Sequence, residues 1–240
     1  MLLSGCRGHA PLDGAYEVVN AVYGDSTFLK ERIPNQNTIR LFKDRYWIQA
    51  SFGSPEKPFA DCTGGMILAK GDEYSVGLSF TSIDTMYWWN EVDFSFDNKG
   101  DKYFLDGKMV KSPTLTIQFK EELDRLAASA PLKDMSMEGV WKRQWIDPEF
   151  KGDTNFTQIK IYSYPRFAWA QFDEATKKLI GAGGGTYQYD GTTLTEHIEY
   201  ITYDVRPGTD AILVVKRNTP DSFIQSLAGG VNKEYWKRLP

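Results

Sequence analysis

One carboxylate in this chain stands where a carboxylate is costly. Glu196 lies in the run Thr193-Leu194-Thr195-Glu196-His197-Ile198-Glu199-Tyr200. Side chains alternate between the two faces of a strand, so Glu196 shares a face with Leu194, Ile198 and Tyr200. A carboxylate on an apolar face must find partners or keep its proton. Two roles fit that requirement: a polar anchor for a ligand, or a structural group bonded to an internal Arg or Tyr. A third, acid–base catalysis, needs a positioned partner. The same face offers Tyr and Gln but no His, because alternation turns His197 outward. No catalytic residue is therefore assigned. The remaining histidine is His9, and the two cysteines are Cys6 and Cys62. That inventory is too small for a histidine-rich catalytic metal site, a zinc cluster or a disulfide framework, so neither metal nor cofactor is expected.

Glu196 needs a strand pair to hold it. Asp190-Gly191 stands between Gly183-Gly184-Gly185-Thr186-Tyr187-Gln188-Tyr189 and Thr192–Tyr200. Asp-Gly between aromatic and β-branched runs is a strong hairpin signal, because the tight turn needs positive φ. A two-residue loop would set Tyr189 opposite Thr192 and Gly185 opposite Glu196. Tyr187, Tyr189, Leu194, Glu196, Ile198 and Tyr200 then form one inner face. On the preceding strand, alternation adds Phe167, Trp169 and Gln171.

The hairpin has an earlier counterpart in Gly64-Gly65-Met66-Ile67-Leu68-Ala69-Lys70-Gly71-Asp72 through Phe80, at a spacing of 120 residues (Gly64 to Gly184, Gly71 to Gly191). Other landmarks recur in the same order. Leu12-Asp13-Gly14-Ala15-Tyr16 matches Met137-Glu138-Gly139-Val140-Trp141, and Thr38–Phe42 matches Gln158–Tyr162. Arg45-Tyr46-Trp47-Ile48 matches Arg166-Phe167-Ala168-Trp169 if one residue is inserted. The chain reads as a duplication: residues 1–10 a tail, 11–126 a first barrel, 127–136 a linker, 137–240 a second. Asp106-Gly107 reads as a further tight turn. Lys120–Ala128 has helix-forming composition, ended by Pro131, so the connection is expected to be helical. At matched inner positions the first repeat carries Val76, Ile48 and Ala50 where the second carries Glu196, Trp169 and Gln171.

Bulk numbers narrow the classes. Of 240 residues 41% are apolar, enough for a packed core, and 14% are aromatic, which suits strands. The net charge of −4 argues against general nucleic-acid binding. No apolar run is long enough to span a membrane.

Two resemblances bear on these residues. Leu3-Ser4-Gly5-Cys6 resembles the bacterial lipobox, whose cysteine is lipidated. Only five residues precede Cys6, short for an export signal, so a chance match with a cytoplasmic chain stays open beside a lipid-anchored envelope protein. Gly139-Val140-Trp141 resembles the Gly-x-Trp start of lipocalin-like (calycin) barrels, with Arg217 or Arg238 placed to pack over the Trp; Tyr16 departs from that pattern. The Gly-Gly-Thr-Tyr hairpin followed by Thr-Glu is similar to exported lipocalin-like bacterial proteins of unknown function. The resemblance implies an all-β chain of two tandem antiparallel barrels. About eight strands leave room for one small ligand. The expectation is a non-enzymatic binding protein of the bacterial envelope that holds a small apolar or amphipathic molecule, mainly in the second barrel. The ligand residues would be Phe167, Trp169, Gln171, Tyr187, Tyr189, Glu196 and Tyr200, with Cys6 as the lipid attachment. A protein-interaction module with filled barrels, and a calycin-type enzyme using Glu196, are the alternatives.

Overall fold

Alternating β-branched and aromatic residues make strands throughout the chain, and closure of each half removes its edges. The structure is a computed structural model describing residues 12–24, 37–54, 57–70, 73–83, 91–99, 102–128, 131–144, 156–203, 206–230 and 232–240. Cys6 with its lipobox, His9, and the Gly71-Asp72 turn lie outside the described residues.

The first barrel runs β1 (Gly14–Tyr23), β2 (Asn37–Lys43), β3 (Tyr46–Ser54), β4 (Lys57–Lys70), β5 (Glu73–Thr81), β6 (Glu91–Lys99), β7 (Lys102–Ser112) and β8 (Leu115–Arg125). The second runs β9 (Gly139–Gln144), β10 (Phe156–Ser163), β11 (Arg166–Asp173), β12 (Leu179–Tyr189), β13 (Thr193–Ile201), β14 (Thr209–Thr219), β15 (Ser222–Leu227) and β16 (Glu234–Arg238). Both are closed antiparallel barrels, β8 pairing back on β1 and β16 on β9.

Three expectations are corrected. Lys120–Arg125 is not helical: it is the end of β8, paired with both β1 and β7. Between the barrels the described helical structure is a 3-10 turn, Met135–Met137. Its composition suits a helix, but its residues complete a closed sheet, and that tertiary demand prevails. Asp106-Gly107 lies inside β7, not at a turn. Gly107 is there for closeness, since a Cβ on it would sit 2.2 Å from the Asp93 carbonyl oxygen. The third concerns register. Tyr46 pairs with Lys43 and Arg166 with Ser163, so the repeat spacing stays 120 without an insertion. Trp169 therefore matches Gln49, and Gln171 matches Ser51. Ile48 and Ala50 point out of their barrel.

They point out because the outside is buried there. Ile39, Leu41, Ile48, Ala50, Phe52, Cys62 and Phe80 of the first barrel pack against Ile159, Ile161, Ala168, Ala170, Phe172, Ala182 and Tyr200 of the second in one core. The two halves meet by like faces. Phe52 stacks on Tyr200 with ring centroids 4.5 Å apart, and Phe80 stacks on Phe172 at 4.9 Å. Phe52 and Phe172 are repeat equivalents, as are Phe80 and Tyr200, so the two stacks are one contact made twice about a pseudo-dyad. Thr81 N also donates to the Lys177 carbonyl oxygen across the junction, at 2.9 Å.

Cys62 reports on this junction. It is fully buried, and burial pushes its thiol well above the ordinary value. Native alkylation at Cys62, followed by peptide mass spectrometry, is expected to be at least about 1,000-fold slower than in denaturant. Reaction at the unfolded rate would show that the barrels separate freely.

Candidate functional site

The hairpin that carries Glu196 is longer at its turn than a two-residue loop. Tyr189 pairs with Leu194 and Tyr187 with Glu196. Asp190 Oδ1 accepts from the Thr192 and Thr193 amides at 2.9 and 2.8 Å, which builds the extra residues into the turn. The register moves by two positions, and with a period of two the faces are unchanged. Tyr187, Tyr189, Leu194, Glu196 and Ile198 are all buried on the inner face.

Tyr200 is the exception. A bulge between Gly184 and Gly185 leaves Glu199 unpaired and reverses the facing beyond it. A Cβ on Gly185 would lie 1.9 Å from the His197 carbonyl oxygen, so the bulge requires glycine. Gly65 makes the same approach to the Gly77 carbonyl in the first barrel. Tyr200 and Phe80 are thereby turned out of their barrels into the junction.

Glu196 meets two protein partners. Lys160 Nζ lies 2.9 Å and the Tyr162 hydroxyl 2.5 Å from Glu196 Oε1, all three side chains being buried. Lys160 also sits over three rings, with Nζ 5.6 Å from the Tyr162 centroid, 5.8 Å from Phe167 and 5.1 Å from Trp236. Burial, and then the neighbouring Glu196 charge, hold the Tyr162 hydroxyl protonated well above the ordinary tyrosine range. Phe167, Trp169, Tyr187 and Tyr189 pack in the core of the same barrel. The Tyr187 hydroxyl donates to Glu138 at 2.7 Å, and the Tyr189 hydroxyl to the Gly191 carbonyl at 2.7 Å. Gln171 stands at the rim, where its Oε1 accepts from the Tyr203 hydroxyl at 2.7 Å. His197 faces outward and contacts Asp210 at 2.7 Å.

The described lumen cavity lies in the other barrel. Its volume is about 170 Å³, and Tyr23, Arg40, Gln49, Thr63, Val76, Val92, Leu105 and Phe119 bring one residue from each of the eight strands to its wall. Phe42, Trp47 and Phe94 give it further aromatic surface. Two larger depressions are surface grooves: one of about 450 Å³ is edged by solvated charges such as Asp97, Lys99 and Lys120, and one of about 340 Å³ runs between the barrels.

A buried polar cluster forms part of the lumen wall. Glu121 accepts from Arg40 at 2.5 Å and from the Tyr23 hydroxyl at 2.6 Å. Arg40 Nε donates to Gln49 Oε1 at 2.9 Å. Burial, and then the Glu121 charge, push the Tyr23 hydroxyl far above its ordinary value, so it stays a donor to Glu121.

Comparison of matched positions shows how the two interiors differ. Gln49, Ile67 and Val76 of the first barrel become Trp169, Tyr187 and Glu196 in the second. Thr63 becomes Gly183, and the Trp169 ring takes the space a side chain would need: a Cβ on Gly183 would lie 2.7 Å from Trp169 Nε1. Sequence reasoning missed Arg40, Glu121, Gln49, Tyr23, Lys160 and Tyr162. A usable signal was present, because both repeats place a cation between two aliphatic residues, Ile39-Arg40-Leu41 and Ile159-Lys160-Ile161. Ordinary alternation assigns the aliphatic pair to the lumen, whereas here it belongs to the junction.

The Gly-x-Trp element is also on the described structure. Trp141 is fully buried and donates from Nε1 to the Met137 carbonyl at 2.9 Å. Arg238 and Arg217 both lie over its ring, at 4.2 and 5.6 Å from the centroid. They also donate to the Ser136 carbonyl at 3.1 and 2.8 Å, which fixes the 3-10 turn across the end of the barrel.

No protein-family model matches the sequence, and no curated protein is similar to it in sequence. A solved structure is similar in fold: the crystal structure of an uncharacterised protein from Saccharomyces cerevisiae, with a TM-score of 0.53 and 11% sequence identity, over 95% of this chain and 98% of that one. The alignment takes in both barrels, and at that identity it speaks to the fold alone.

Proposed function

We propose that this chain is a lipocalin-like, non-enzymatic binding protein that holds a small apolar or amphipathic molecule in the lumen of its first barrel. The observation that carries this reading is the cavity of about 170 Å³ walled by all eight strands, with Arg40, Gln49 and Tyr23 on one wall and aromatic surface elsewhere. Mostly apolar walls with a few placed polar groups are what ligand sites share. The volume is below the roughly 300 Å³ of drug-sized sites and close to the roughly 150 Å³ engineered cavity that stays dry and accepts benzene. The ligand is therefore small. Trp141 with its two arginines supports the lipocalin-like part of the reading. Glu196, bonded to Lys160 and Tyr162, takes the structural role in place of a ligand anchor.

Native mass spectrometry of the purified full chain tests this. A small molecule that leaves on denaturation, and is depleted in Val76→Phe, is the expected result. A chain that carries nothing, and whose melting temperature no member of a small-molecule screen moves, would remove the reading. Attachment to a bacterial envelope rests on Cys6. Metabolic labelling with a tagged fatty acid should mark the wild type and not Cys6→Ser; equal label on both, or none on either, removes the envelope assignment. The interaction-module reading has one observation in its favour: Ile212 and Val214, neighbours on the outer face of β14, are 50% and 52% exposed.

A further inference from the structure

We infer that the lumen of the first barrel selects a neutral, single-ring molecule carrying one hydrogen-bond acceptor; this rests on that lumen being the binding site. The selectivity follows from how its polar wall is already spent. The charged groups lining the cavity are Arg40 and Glu121. Arg40 meets the carboxylate through both terminal nitrogens, at 2.5 and 3.1 Å, with side-chain exposures of 11% and 3% for the two partners. The pair closes on itself, so the wall is neutral as a unit. A ligand carboxylate or ammonium placed beside it would be a third buried charge without a counter-charge, which is strongly unfavourable.

The neutral donors and acceptors are nearly all engaged as well. The Tyr23 hydroxyl donates to Glu121, and the Thr63 hydroxyl donates to the Phe80 carbonyl at 3.0 Å. Both bonds from Arg40 to Gln49 end on Gln49 Oε1. The amide nitrogen of Gln49 is thus a donor that the wall can offer a ligand, and a donor asks for an acceptor. Phe42, Trp47, Phe94 and Phe119 line the same cavity, and their rings favour a flat aromatic partner. The volume admits one ring with a short substituent. A neutral aryl ketone or aldehyde meets all three conditions.

Calorimetric titration of the full chain with acetophenone, benzoate and benzylammonium tests the class. Acetophenone should bind, and each charged analogue should bind at least about 100-fold more weakly, in line with the penalty for an unpaired buried charge. Val76→Phe should abolish acetophenone binding by filling the lumen; Val92→Phe on the next strand serves the same purpose if the first variant does not fold. Toluene, which keeps the ring and lacks the acceptor, should bind the wild type about 10-fold more weakly than acetophenone. Benzoate or benzylammonium binding as tightly as acetophenone, in a manner abolished by Val76→Phe, would overturn the neutral class and leave the lumen site standing. Binding of acetophenone that neither filling variant affects would overturn the lumen site itself. Failure of all three probes also overturns the class, and the mass of any molecule co-purified with wild type but not Val76→Phe then decides the lumen reading separately.

Discussion

Glu196→Gln is expected to destabilise the fold by about 3–5 kcal/mol, the range for breaking a buried pair by removing one charge. The substitution keeps shape and one oxygen, so Tyr162 can still donate. What it removes is the counter-charge of Lys160, which is 4% exposed. The three aromatic rings around Lys160 Nζ soften the loss without replacing it, since each such contact contributes about 0.5–2 kcal/mol. Equilibrium denaturation in urea measures the effect. The companion variant Lys160→Met with Glu196→Leu removes both charges, and should lie near the wild type or above it, because well-packed apolar replacements of buried pairs are often neutral or stabilising. A single variant as stable as the wild type would show that Lys160 has another counter-charge. It would also return Glu196 to consideration as a ligand group.

Trp141→Ala is expected to cost about 3–5 kcal/mol, as truncation of a large buried aromatic does. Trp141 has no exposed surface, and its ring lies under Arg238 and Arg217 and edge-on to Phe223 at 4.7 Å. Its loss leaves a cavity at the end of the second barrel and removes the ring both guanidinium groups cover. Trp141→Tyr installs the residue that the first barrel uses at this position, Tyr16, and should lose less than half as much. Near-ultraviolet circular dichroism alongside the urea curves separates local loosening from global loss. Equal cost for Ala and Tyr would mean that ring size is not what holds the end of the barrel.

Repetition was the part of the architecture most open to reading from sequence. Glycine pairs and aromatic alternation recur at a spacing of 120 residues (Gly64-Gly65 and Gly184-Gly185), and local chemistry of that kind survives in a linear text. The inner face of the Glu196 hairpin was readable even though its turn was longer than expected, because a two-residue shift conserves facing. Tyr200 was not readable, since a bulge beside Gly185 moves it to the other side of the sheet and glycine alone does not announce a bulge. Ile159 and Ile161 misled for a different reason. Hydrophobic periodicity tells which face is buried, and not by what; here the second barrel's outer face is buried by the first. Lys160 and Arg40, which look like solvent-facing residues between aliphatics, are inside for the same reason. The helix expected over Lys120–Ala128 failed because closing a barrel needs an eighth strand, a requirement set by distant residues.

The like-faced junction has a consequence for how the two barrels came to differ. Two separate chains meeting through the Phe52–Tyr200 and Phe80–Phe172 stacks would form an isologous pair, present only above the concentration their affinity sets. Joining them in one chain replaces that threshold by a fixed local concentration, so dilution no longer parts them. Each copy is then encoded separately. A substitution such as Gln49 against Trp169 can appear in one lumen and not in the other, whereas in a pair of identical chains it would appear in both. The interior of one barrel can then change in sequence while that of its neighbour does not.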